Sequence, residues 1–81
     1  MAINIRVLFF GATAAEVGNR EVEISLKENT PSGLAFSEVI EKFPKLKSHK
    51  LLFALNQKYT GGDEVIRDGD ELAVFTAVSG G

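Results

Sequence analysis

The chain has 81 residues, 44% of them hydrophobic and 25% charged, with a net charge of −2 and no cysteine. This is the size and composition of one soluble globular domain. The acidic balance argues against nucleic-acid binding, and the missing thiols exclude disulfides, thiolate metal sites and a cysteine nucleophile. No apolar run approaches the length of about 18 residues that marks a membrane helix. No charged-then-apolar leader precedes the first strand, which points to a cytoplasmic protein.

Ile3, Ile5, Val7 and Phe9 alternate with Asn4, Arg6, Leu8 and Phe10, so residues 3–10 are expected to form a strand. Its second face turns apolar at Leu8 and Phe10, which predicts a central strand covered on both sides there. Thr13-Ala14-Ala15-Glu16 has the capping-box pattern, in which hydroxyl and carboxylate satisfy free amides. Gly18 suits a left-handed stop, so a short helix is predicted over residues 12–17. Val22, Ile24 and Leu26 alternate with Glu21, Glu23 and Ser25 in a half-buried strand, antiparallel to the first.

Asn29-Thr30-Pro31-Ser32-Gly33 is a turn cluster. Beyond it, Phe36, Val39, Ile40 and Phe43 share one helix face, and Pro44 ends the helix. Lys42, Lys45, Lys47, His49 and Lys50 form a basic run, read as a solvated loop. His49, the single histidine, has no neighbour at metal-ligand spacing and is assigned no role.

Residues 51–55 form a third strand, and Asn56-Gln57-Lys58 is a turn that returns the chain through Tyr59 and Thr60. Gly61-Gly62-Asp63 is a loop that lacks the strand–helix context of a phosphate cradle. Val65-Ile66 reads as a minimal strand, and Arg67-Asp68-Gly69-Asp70 as a turn centred on Asp-Gly. Alternation of Leu72, Val74, Thr76 and Val78 with Ala73, Phe75 and Ala77 gives the last strand. One long helix and one sheet make an α+β roll, a mixed sheet covered on one face by one main helix.

No nucleophile–base pair, perturbed carboxylate pair or metal cluster emerges, so an independent enzyme is not indicated. Function must then reside in a surface or a terminus. The terminus is Val78-Ser79-Gly80-Gly81. A segment almost without side chains can thread a narrow slot in a partner and present its own carboxylate.

These features together resemble a known family. The strand ending Phe10-Gly11-Ala12, the helix ending Glu16-Val17-Gly18, Leu55-Asn56-Gln57, Asp68-Gly69-Asp70-Glu71 and the terminal Val78-Ser79-Gly80-Gly81 are similar to the molybdopterin synthase small-subunit (MoaD) family. The resemblance covers essentially the whole chain. It implies a β-grasp, ubiquitin-like domain over residues 1–78 and a flexible Gly-Gly tail over residues 79–81. It also implies that Gly81 is adenylated by an ATP-dependent, E1-like enzyme and converted to a thiocarboxylate with sulfur from a donor enzyme, with Gly80 its necessary neighbour. The large synthase subunit would then use that sulfur to build molybdopterin, in a heterotetramer. No permanently bound cofactor, no metal, no nucleic acid and no membrane are implied; ATP belongs to the activating partner.

The chemistry suits the residues. A free C-terminal carboxylate titrates at about 3.3, so it is anionic at neutral pH and a poor electrophile until a leaving group is added. Residues 79–81 reach roughly 10 Å beyond the strand, so the receiving tunnel should be about that deep, with the domain as stopper. Tyr59, Phe75, Val78 and Ser79 are the expected partner contacts, with core packing the alternative for Phe75. Asp63, Glu64, Asp68, Asp70 and Glu71 against Arg67 give residues 63–81 an acidic excess that would steer a basic partner rim.

Two departures from the family stand out. Thr76-Ala77 replaces a pair of prolines often found there, which would loosen the tail or prolong the strand. Gly61-Gly62 suggests a loose loop. Competing readings are a thiamine-type sulfur carrier, a ubiquitin-like modifier and a passive binding module. Against the first stands the insertion at residues 11–18; against the second, Ser79 occupies the place where modifiers carry arginine.

Overall fold

A computed structural model of the chain describes residues 1–77. Five strands form one sheet in the order β2-β1-β5-β3-β4. They are β1 (Ala2–Phe9), β2 (Glu21–Lys27), β3 (Leu51–Leu55), β4 (Lys58–Tyr59) and β5 (Glu71–Thr76). Two helices, α1 (Ala12–Val17) and α2 (Ser32–Lys42), and a 3₁₀ turn (Pro44–Ser48) complete the described chain. The pair β1–β2 is antiparallel, as the alternation predicts, and β1 runs parallel to β5 at the centre of the sheet.

One face of the sheet is the core. Ile5, Val7 and Phe9 of β1, Leu72 and Val74 of β5, Ile24, Leu26 and Leu55 pack against Ala35 and Val39 of α2. Phe36 stacks on Phe53, with ring centroids 4.4 Å apart, and Phe43 meets Phe9 edge-on at 5.6 Å. The helix therefore points Ala35 and Val39 deepest, while the larger Phe36, Ile40 and Phe43 are half-buried at its flanks.

Several local expectations change on folding. The helix at 12–17 forms, and Gly18 ends it at φ 82. The capping box does not form: Gly11 holds the N-cap position without a side-chain bond. Thr13 is instead fully buried inside α1. Its hydroxyl accepts from the Phe10 N–H at 2.9 Å and donates to the Val74 carbonyl at 2.8 Å, tying α1 to β5. Glu16 is turned to His49, 3.2 Å away, so the histidine that had no sequence-level role links α1 to the end of the 3₁₀ turn. The basic run is a 3₁₀ turn rather than an open loop, because Leu46 is wholly buried and anchors it.

Asn56 and Gln57 both take positive φ, 50 and 68, giving the tight two-residue hairpin that joins β3 to β4. The Asn56 side chain accepts from the Glu71 N–H and donates to Asp70, fixing the hairpin to the start of β5. Val65 makes only an isolated bridge with Pro31, not a strand, while Ile66 is buried. The Gly61-Gly62 loop is pinned, not loose. The Gly62 and Glu64 carbonyls accept from the Gly33 and Ser32 N–H groups at 2.9 and 2.6 Å. They supply the acceptors that the N-terminus of α2 otherwise lacks. Gly33 fits closely here: a Cβ would lie 3.2 Å from the Gly62 carbonyl oxygen, which would have to give by a few tenths of an ångström.

Candidate functional site

Among the described residues the second face of the sheet carries no helix, which corrects the expectation that β1 is covered on both sides at Leu8 and Phe10. Phe10 is 52% exposed. Strand pairing divides this open face. Across β2 and β1 it is polar: Ser25 donates to Asn4 at 3.0 Å, and Arg6 reaches Glu71 at 3.2 Å. Across β5, β3 and β4 it is apolar. Ala73 pairs with Leu8 on one side and Ala54 on the other, Phe75 with Leu52, and Ala54 with Tyr59.

Alternation along β5 decides where Phe75 lies. Leu72 and Val74 enter the core, so Ala73 and Phe75 take the open face. Phe75 is half-buried, and its ring meets Tyr59 edge-on with centroids 6.0 Å apart. Tyr59 is 75% exposed and Leu52 41%. Such an aromatic pair beside an exposed leucine has the make-up of a docking anchor. Tyr59 and Phe75, singled out in the sequence, are thus brought together. Leu52, Leu8 and Phe10 were missed. Their signal was present in the second apolar face of residues 8–10 and of the third strand.

The C-terminal segment leaves from the edge of this patch. Thr76 still pairs with Leu51, and Ala77 donates its N–H to the Lys50 carbonyl at 3.0 Å. Thr76-Ala77 therefore prolongs the ladder; a proline at 77 would remove that donor. Val78, Ser79, Gly80 and Gly81 lie outside the described residues. They follow Ala77 directly, and four residues extend at most about 14 Å.

The charges around this exit differ from the sequence expectation. Asp68 accepts from the Asn4 N–H and the Asp70 carbonyl from the Arg6 N–H, so both acids sit at the start of β1 and β5. Glu64 lies at the N-terminus of α2. The acidic residues close in sequence to the tail are thus at the far end of the sheet. At the exit itself stands Lys50, whose carbonyl accepts from the Ala77 N–H and which follows the 3₁₀ turn in the chain.

Among the described residues no cluster of three or more His, Cys, Asp or Glu side chains could hold a metal. No helix there is long and apolar enough to cross a membrane. A broad open hollow of about 650 Å³ lies between Met1, Ser25 to Asn29 and Glu38, away from the exit. An apolar, helix-free part of the sheet thus lies beside Ala77, the last described residue.

Residues 7–81 match the model of the ThiS family. The chain belongs to that family. It is 34% identical over 83 residues to the molybdopterin synthase sulfur carrier subunit of Mycobacterium tuberculosis, covering 98% of this chain and 99% of that protein. Among solved structures it resembles a putative molybdopterin converting factor subunit 1 of Pyrococcus furiosus, with TM-score 0.85 and 26% identity over 94% of this chain and 99% of that one. It also resembles SAMP1 of Haloferax volcanii, with TM-score 0.83 and 25% identity over 96% and 99% of the two chains. The chain shares its fold, with TM-score 0.69 and 20% identity over 98% and 100% of the two chains, with a member of the Helicobacter pylori complex of molybdopterin-converting factor subunits 1 and 2. The fold of this ThiS-family chain is the ubiquitin-like β-grasp.

Proposed function

We propose that this chain is the sulfur carrier of a molybdopterin synthase. The observation that carries the reading is its end-to-end match to carrier subunits of that name. The geometry supports it: a domain with an apolar docking face delivers its last four residues from beside that face.

In this reading the Gly81 carboxylate is the working group. An ATP-dependent, E1-like partner transfers adenylate to it, with pyrophosphate leaving. Sulfide-level sulfur supplied by a donor enzyme as hydrosulfide attacks the acyl carbon, the C–O bond to AMP breaks as the C–S bond forms, AMP leaves with the electron pair, and the product is a thiocarboxylate. Gly80 and Ser79 keep the segment narrow enough for a partner's slot, and Val78 seats at its mouth. Tyr59 and Phe75, with Leu52, hold the large subunit against the sheet. ATP acts in the activating enzyme and is not retained by this chain. Two carriers and two large subunits would make the heterotetramer.

Deleting Gly81 tests this reading. Sulfur transfer to the pterin precursor, reconstituted with the large subunit, should vanish while the melting temperature stays within a degree or so, since a terminal residue adds little packing. Full activity of the deletion would refute it. A ubiquitin-like modifier is the second reading, favoured by the likeness to SAMP1. It predicts isopeptide conjugates to lysine from the same activated carboxylate.

A further inference from the structure

The two ends of the molecule carry opposite charge. Asp63, Glu64, Asp68 and Asp70 gather where β1, β5 and α2 begin. At the other end α2 finishes with Lys42, and the 3₁₀ turn follows with Lys45 and Lys47, then Lys50. This polarity also complements the dipole of α2, with acids near its N-terminus and a lysine in its last turn. From Glu71 to Ala77 the strand direction covers roughly 20 Å. That exceeds a Debye length of about 8 Å at physiological salt, so the acids do not neutralise the exit.

The lysine end is held in place. Leu46 is buried beneath the 3₁₀ turn, Glu16 binds His49 at 3.2 Å, and the Lys50 carbonyl accepts the Ala77 N–H. Lys47 touches Glu41 only at 4.0 Å. Lys42, Lys45 and Lys50 are exposed and have no carboxylate within 4.0 Å among the described residues. Four lysines against Glu16 and Glu41 leave this end positive on a chain whose net charge is −2.

We propose that Lys42, Lys45 and Lys50 form a positive collar at the point where the C-terminal segment leaves the sheet, and that the collar docks on an acidic rim around the partner's slot. The inference rests on the carrier reading and specifies the chemistry of the partner's surface. A collar at the exit orients the encounter, because it attracts the end of the domain that bears the segment. It acts on the association rate, while the Tyr59–Phe75 patch sets how long the complex lasts.

The test is stopped-flow association of the full chain with the large synthase subunit of the same organism, at low and high ionic strength. Reversal of all three lysines (Lys42→Glu, Lys45→Glu, Lys50→Glu) should slow association about tenfold at low salt and flatten its salt dependence. The dissociation rate and melting temperature should hardly move. Reversal at the far end (Asp63→Lys, Glu64→Lys) should leave association unchanged or faster. An unchanged association rate in the folded triple variant, or a faster one, overturns the collar while the carrier reading stands. Failure of the unaltered chain to bind the large subunit at all overturns the carrier reading, and the collar with it.

Discussion

Replacing Phe75 with alanine separates docking from folding. The ring lies on the open face, half-buried and edge-on to Tyr59 at 6.0 Å. A phenylalanine fully enclosed in a core costs about 3–5 kcal/mol on truncation to alanine. Phe75 loses only the aromatic contact and part of its burial, so about 1–2 kcal/mol is the expected loss of stability. In a domain of this size that lowers the melting temperature by roughly 5–15 °C, leaving a folded protein at 25 °C. An aromatic anchor at the middle of an interface costs about 2 kcal/mol or more, a rise of roughly 30-fold in Kd. Thermal unfolding followed by circular dichroism and titration calorimetry against the large subunit give the two numbers. A folded Phe75→Ala chain that binds with unchanged Kd would remove the ring from the interface. A chain that no longer folds would return it to the core.

Three further substitutions probe the elements that present the site. Thr13→Val keeps the shape but deprives the Phe10 N–H and the Val74 carbonyl of their hydroxyl partner, so urea unfolding should show a loss of about 1–3 kcal/mol. Gln57→Gly relieves a side chain held at φ 68 and should raise stability by up to about 1 kcal/mol in the same assay, with Tyr59 and partner affinity undisturbed. Gly80 replaced by a bulky residue such as tryptophan should abolish sulfur transfer with no change in melting temperature; retained turnover would show that the slot is not narrow.

What the sequence made legible follows from what side-chain patterns record. Alternation in residues 3–9 and 21–26, and the spacing of Val39 and Phe43, mark surfaces that face the core, and those elements form where expected. Gly18 and Asp68-Gly69-Asp70 mark turns that need a positive φ, and both hold. The open face was harder to read. Leu8, Leu52 and Phe75 look like core in any strand, and only the placement of the single long helix shows which face stays bare. Thr13 wears a capping-box signature, yet burial against β5 offers its hydroxyl a better-enclosed acceptor than the helix end does.

The Gly61-Gly62 loop is fixed to α2 by backbone groups, which leave no trace in side-chain identity, while the Thr60 hydroxyl accepts from the Gly62 N–H at 3.1 Å. The charge map is hidden from the sequence for a related reason. Residues 68–71 are close to the tail in sequence, but β5 carries the chain the length of the sheet before it exits, and the parallel pairing with β1 holds those acids beside Asn4 and Arg6. Lys50, distant in sequence from Gly81, stands beside Ala77 instead.

In the proposed function the terminal carboxylate of Gly81 carries sulfur. Intact-mass spectrometry of the full chain, after incubation with its activating enzyme, ATP and a sulfur source, addresses it directly. Exchange of one oxygen for one sulfur is expected, mapped by fragmentation to Gly81 and absent without ATP. A mass that stays unchanged with a competent activating enzyme, or that rises only through isopeptide conjugation to lysine, would contradict it.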